Sequence, residues 1–186
     1  MPPFLVADDQ LIDRVTALFR ERGFDAASLT EISAATGLQK SSLYHRFPGG
    51  KQQMAAEVIT ALGRRAVDDL LAPLAVAGDL RSRVELVARN LAAFYDGGRR
   101  SCLLDSLSIG TAGAESAAAL QAVASGWVEA FAGVAREAGA SRKVALERAE
   151  DAIAAIEGAL VLARVRGDTA AFRRSIKRLP DLLMGA

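Results

Sequence analysis

Between Gly37 and Lys51 the chain reads "GLQKSSLYHRFPGGK". Gln39, Lys40, Ser41, Ser42, Tyr44, His45, Arg46 and Lys51 crowd into this stretch. They supply hydrogen-bond donors, cations, and a ring that can lie on a sugar or a thymine methyl. Such a set suits a polyanion with readable base edges. Phosphates accept bonds from Lys, Arg, Ser and Tyr, and base edges take paired donors and acceptors. It does not suit catalysis. His45 is the single histidine and Cys102 the single cysteine, so neither a His-rich nor a Cys-based metal cluster is available. There is no nucleophile elbow of the G-x-S-x-G kind and no phosphate loop. The sequence implies no enzyme, no cofactor and no metal.

The elements that must hold these side chains can be read on either side. Ser28 and Glu31 form an S-x-x-E capping box that opens a short helix through Ile32 and Ala35. Gly37 takes a turn that calls for positive φ, where glycine alone is cheap, and Leu38 plugs the corner. A second helix runs from about Lys40 to Phe47 and stops at Pro48-Gly49-Gly50. Ile32 and Ala35 are expected to face inward from the first helix, and Leu43 and Phe47 from the second. This is the spacing of a helix-turn-helix, whose second helix enters a DNA major groove. Ahead of it, Leu11, Val15 and Leu18, with Ile12 and Phe19 beside them, mark a helix that ends at Gly23. Behind it, Lys51 opens a long helix to about residue 72 and is placed to clamp a backbone phosphate.

The rest of the chain repeats helical spacing without the polar stretch. Leu80, Val84, Val87 and Leu91 mark one helix, Leu120, Val123, Trp127 and Phe131 another, and Phe172, Ile176, Leu179 and Leu183 the last. No sustained period-2 alternation occurs. The predicted class is all-α with about nine helices. A three-helix bundle with the helix-turn-helix covers 1–50. A larger C-terminal bundle covers 51–186, with 51–72 as the connecting helix. Phe94, Tyr95, Leu104, Leu107, Trp127 and Phe131 are either core or the lining of an apolar pocket. Cys102 is either a buried small hydrophobe or a sensor thiol. Ala152, Ala155, Ala159 and Ala163 are small enough for another helix to approach closely. With Phe172, Ile176 and Leu179 they are expected to form a four-helix interface between two copies.

Bulk composition restrains these readings. Lys and Arg number 23 against 22 Asp and Glu, a net charge of +1, so positive potential has to be concentrated locally. Over residues 1–51 six cations meet six acids, yet Lys40, Arg46 and Lys51 fall where no acid follows Glu31 until Glu57. No uncharged apolar run approaches the length of a membrane span, and the first residues do not read as a signal peptide. The expected setting is cytoplasmic, with no membrane partner.

Preceded by "SLTEISAAT", the stretch 37–51 resembles the DNA-binding domain of the TetR family of one-component bacterial repressors. The match falls on Ser28, Ile32, Gly37, Leu43, Tyr44, Phe47 and Lys51. Ser33 stands where that family usually has Ala, and Leu38 where it often has Val. The "FPGGK" form, one residue longer than the commoner loop, is similar to the LmrA/YxaF-type branch. "AIEGALVLARVRGD" looks like that branch's penultimate helix. The resemblance implies DNA contacts at Thr30, Lys40, Ser41, Ser42, Tyr44, His45 and Lys51, with Gln39 and Arg46 beside them. It further implies a homodimer on a palindromic double-stranded operator, and a repressor released when an apolar or aromatic inducer enters the second domain. The rival reading is a helical small-molecule carrier or interaction protein without specific DNA binding. Salt dependence separates the two, because phosphate contacts release counterions.

Overall fold

Nine α-helices and no strand occur among residues 8–108 and 113–185, the residues described by the computed structural model. The helices are α1 (Asp8–Arg22), α2 (Leu29–Thr36), α3 (Lys40–Arg46), α4 (Gly50–Arg65), α5 (Leu80–Phe94), α6 (Leu103–Ser108), α7 (Gly113–Glu137), α8 (Arg142–Arg166) and α9 (Ala170–Met184). Two compact units are assembled differently from the expected division at residue 50. One takes the described residues up to Gly63 together with those of 103–122; the other takes Arg64–Cys102 and Val123 onward. The first unit recruits a later segment because α6 packs on α1.

In the first unit Leu11, Val15 and Phe19 of α1 repeat every four residues and are buried. Ile32 of α2, Leu43 of α3, Phe47, and Met54 and Val58 of α4 are buried with them. Phe24, in the loop after α1, sets its ring 5.8 Å from that of Phe19.

In the second unit the helix expected over 51–72 does not stay α-helical to its end. After α4 the chain widens into a π-helical turn, Ala66–Leu71, and tightens into a 3-10 turn, Ala72–Ala75. Pro73 is the cause: it has no N–H for the carbonyl of Asp69, and its ring clashes with an α-helical partner there. Asn90 Nδ2 donates to that carbonyl instead, at 3.1 Å.

Both α8 and α5 pack against α9. Phe172 of α9 is fully buried and meets the Tyr95 ring edge-on at 5.9 Å. Gly98, at φ 97°, lies so close that a Cβ there would stand 2.8 Å from the Phe172 ring.

This packing corrects the expected dimer interface. Ala152, Ala159, Ala163, Phe172, Ile176 and Leu179 are buried inside one chain. Small residues on α8 do admit a close neighbour, but that neighbour is α9. Of the residues expected to meet a second copy, Ala155 alone is exposed. It lies on the opposite side of α8 with Ala154, Gly158, Val161, Leu162 and Val165, all exposed.

Among the described helices, α7 is the one that bears on the expected absence of a membrane span. By length and composition it is long and apolar enough to cross a membrane. Its apolar character is mainly alanine, whose small side chain removes little surface from water.

Candidate nucleic-acid interface

The helix-turn-helix is fixed by directed bonds around few apolar anchors. Ser28 Oγ accepts the Glu31 N–H at 3.2 Å, and Glu31 Oε2 accepts the Ser28 N–H at 2.9 Å, closing the expected capping box. The Ser28 N–H, and then its hydroxyl, hold the Glu31 carboxyl below its ordinary range. Gly37 has φ 74°, in the left-handed region, and donates its N–H to the Ser33 carbonyl. Ser33 in turn donates its hydroxyl to the Leu38 carbonyl at 2.6 Å, bracing the turn from the position where Ala would be mute.

The inward face of α2 differs from the sequence reading. Ile32 is buried, but Ala35 is exposed and Thr36 is buried in its place. Residues three and four after Ile32 both neighbour it on the helix; here the core takes the Thr36 side and leaves the Ala35 side in solvent. Burial of the Thr36 hydroxyl is satisfied by its bond to the Ile32 carbonyl at 2.7 Å. Arg14 Nη1 ties α1 to the Thr36 carbonyl at 2.8 Å.

On α3, Leu43 and the following Phe47 point inward and are buried. Successive residues turn by about 100°, so Tyr44, Ser41, His45 and Ser42 sweep the opposite arc. All four are exposed, as are Gln39 and Lys40 at the start of the helix and Thr30 on α2. Tyr44 is 51% exposed, unusual for a ring with no partner to cover it.

Two of the expected contacts are engaged elsewhere. Lys51 Nζ donates to the carbonyls of Phe24, Asp25 and Ala27 at 2.7, 3.3 and 3.0 Å. It also stands 4.4 Å from the centre of the Phe24 ring. An ammonium has three protons, and three carbonyls take them, so in this structure Lys51 ties α4 to the α1–α2 loop. Arg46 is bonded in bidentate fashion to Glu57 at 2.9 and 3.2 Å, and to Asp8 at 3.1 Å. The Glu57 bonds, with Asp8 in support, raise its pKa further. Gln53 extends the set: its Oε1 accepts the Gly49 N–H and its Nε2 donates to Glu57, both at 2.8 Å. Sequence reasoning missed Asp8, Arg14, Ser33, Gln53 and Glu57. The spacing of Gln53 and Glu57, four apart on one helix, was a usable signal; Ser33 bonds across the turn only five residues on, whereas Asp8 and Arg14 lie 38 and 22 positions from their partners.

The residues expected to line a pocket are divided between the units. Leu104 and Leu107 belong to the first, and Phe94, Tyr95, Trp127 and Phe131 to the second. Within the second unit Phe94 and Tyr95 meet edge-on at 5.0 Å, and Trp127 and Phe131 at 5.8 Å. Tyr95, Leu107 and Phe131 are buried, while Phe94, Leu104 and Trp127 are partly open. Cys102 is buried, and the Tyr95 hydroxyl donates to its Sγ at 3.6 Å. Among the described residues no group of His, Cys, Asp or Glu is arranged to hold a metal ion.

Known proteins share both the sequence pattern and the architecture. Residues 11–58 match the family described as bacterial regulatory proteins, tetR family. Residues 77–178, more than half of the chain, match the C-terminal domain of LmrA/YxaF-like transcriptional regulators. The HTH-type transcriptional regulator LmrA of Bacillus subtilis is 23% identical over 94% of this chain and 95% of its own length. The TetR transcriptional regulator of Legionella pneumophila, known from its crystal structure, superposes with a TM-score of 0.82 at 18% identity, covering 95% of this chain and 97% of that one. The FadR regulator of Bacillus subtilis, solved in complex with stearoyl-CoA, gives a TM-score of 0.75 at 13% identity, covering 97% and 100%. The exposed polar face on α3, its capped and braced turn, and the matches over both parts of the chain lead to one conclusion: this is a TetR-family transcriptional regulator of the LmrA/YxaF-like group, and not an enzyme.

Proposed function

We propose that this regulator is a homodimeric repressor that reads a palindromic operator with α3 and leaves it when an apolar or aromatic small molecule binds. One observation carries the reading. Lys40, Ser41, Ser42, Tyr44 and His45 are all exposed on a helix whose Leu43 is buried. Gln39 and Thr30 flank that face. Two copies of α3 suit two half-sites about one helical turn apart. The exposed apolar side of α8, from Ala154 to Val165, supports pairing of two chains there. Partly open Phe94 and Trp127 support an apolar or aromatic inducer, as does the acyl chain of the ligand bound to the FadR relative. An inducer releases DNA only through its preference for one arrangement over the other, typically ~1–3 kcal/mol of coupling.

The test is titration of the purified protein against a duplex it has itself selected from a random-sequence pool, at two salt concentrations. Specific, salt-sensitive binding is expected, and Tyr44→Ala should weaken it about tenfold or more. Unchanged binding by Tyr44→Ala would remove α3 as the reader. Trp127, the single tryptophan, gives a fluorescence readout for inducer screening.

A further inference from the structure

We infer that Arg46 and Glu57 form a positioning pair that sets the angle of α3, so that Glu57 is the handle by which α4 turns the reading helix. The inference rests on α3 being the reader.

Four facts point this way. Arg46 is the last residue of α3, and its guanidinium lies between a carboxylate of α1, Asp8, and one of α4, Glu57. The contact with Glu57 is bidentate, which fixes direction as well as distance. The side chains of Arg46 and Glu57 are only 34% and 30% exposed, so the pair is partly shielded from water and salt. The guanidinium also stands 4.7 Å from the centre of the Phe47 ring, the buried anchor at the foot of the helix.

Charge decides between positioning and direct contact. One cation faces two carboxylates, so the cluster offers a phosphate no net attraction. Gln53 extends the connection to the loop after α3 through the Gly49 N–H. A displacement of α4 that moves Glu57 therefore acts on α3 through Arg46 and on the following loop through Gln53. Lys40, Ser41, Tyr44 and His45 are left to the DNA.

The two roles give opposite signs on removal of Glu57. If Arg46 positions α3, Glu57→Gln weakens specific operator binding about tenfold and leaves non-specific affinity unreduced. If Arg46 is a phosphate contact restrained by Glu57, the same change tightens binding. The experiment measures Glu57→Gln, Arg46→Gln, their double variant and Gln53→Met on the selected duplex and on random DNA across a salt series, with melting curves for each protein. The expected result is a loss of specific affinity in both single variants, a double variant no worse than the worse single, and an unchanged salt slope. Gln53→Met, which leaves the ion pair intact, should lose roughly threefold. Tighter binding by Glu57→Gln, a slope smaller by about one in Arg46→Gln, or wild-type specificity in both single variants would overturn the inference. Lys40→Ala and Tyr44→Ala in the same series keep the two readings apart. If they weaken binding and the pair variants do not, the positioning role fails alone. If none has an effect, α3 is not the reader.

Discussion

In the helix-turn-helix, two short helices rest on Ile32, Leu43 and Phe47, and directed bonds do the remaining alignment: the Ser28–Glu31 box, the Ser33 brace, the Lys51 tie and the Arg46 pair. In the second unit α8 packs on α9, and Ala152, Ile156, Ala159 and Ala163 of the one and Phe172, Ile176 and Leu179 of the other are buried. None of those side chains carries a donor. The difference follows from what each region has to leave exposed. A reading head must keep one whole side polar and so has little apolar surface to bury. Bonds of fixed direction then orient it. A long helix pair has surface to bury, and small side chains let packing set the distance.

Stability measurements can break this contrast. The largest expected effect is in the packed pair. Phe172→Ala should cost ~3–5 kcal/mol in denaturant unfolding, as for other buried aromatic deletions; a loss below ~1 kcal/mol would mean that α9 does not depend on packing there. Next comes Lys51→Met, which keeps the stem but strands three carbonyls. A loss of ~1–3 kcal/mol is expected, whereas Lys40→Met should leave unfolding unchanged and weaken DNA binding with a smaller salt slope. If the two lysines exchange these behaviours, Lys51 is the phosphate contact after all. The smallest effect is at the cap. Ser28→Ala should cost ~1 kcal/mol, and the deficit should depend on pH. Because its folded pKa is lowered, Glu31 contributes in full above the ordinary carboxylate range, and the contribution is lost as pH falls through the lowered value. The difference between Ser28→Ala and the wild type should therefore shrink in acid.

Much of the head was legible in the sequence because its signals are local. The S-x-x-E box, the glycine of the turn and the inward spacing of Leu43 and Phe47 each lie within a few residues of what they act on. The intramolecular partners of Lys51 and Arg46 were not legible, for the opposite reason. The sequence displays their charge, but the carbonyls and carboxylates that capture it lie 11 to 38 positions away. Ala35 and Thr36 both suit the spacing from Ile32, and hydrophobicity favours the alanine, but a threonine can bury its hydroxyl against the carbonyl four residues back. The alanines of α8 were correctly read as an invitation to another helix, yet composition does not say whether that helix belongs to the same chain. Of the residues expected to share a pocket, the aromatic ones fall in the second unit and Leu104 and Leu107 in the first, a division that hydrophobicity in sequence does not display.

The break after α4 ties two distant positions to each other. Pro73 leaves the Asp69 carbonyl without its ordinary donor, and Asn90 supplies one. A chain that lost Asn90 would inherit the cost of the proline, and a chain that lost the proline would free Asn90 to vary. The two sites are thus coupled: a change at residue 90 removes a protein donor from the Asp69 carbonyl and leaves it to water, a difference that matters only while a proline stands at residue 73.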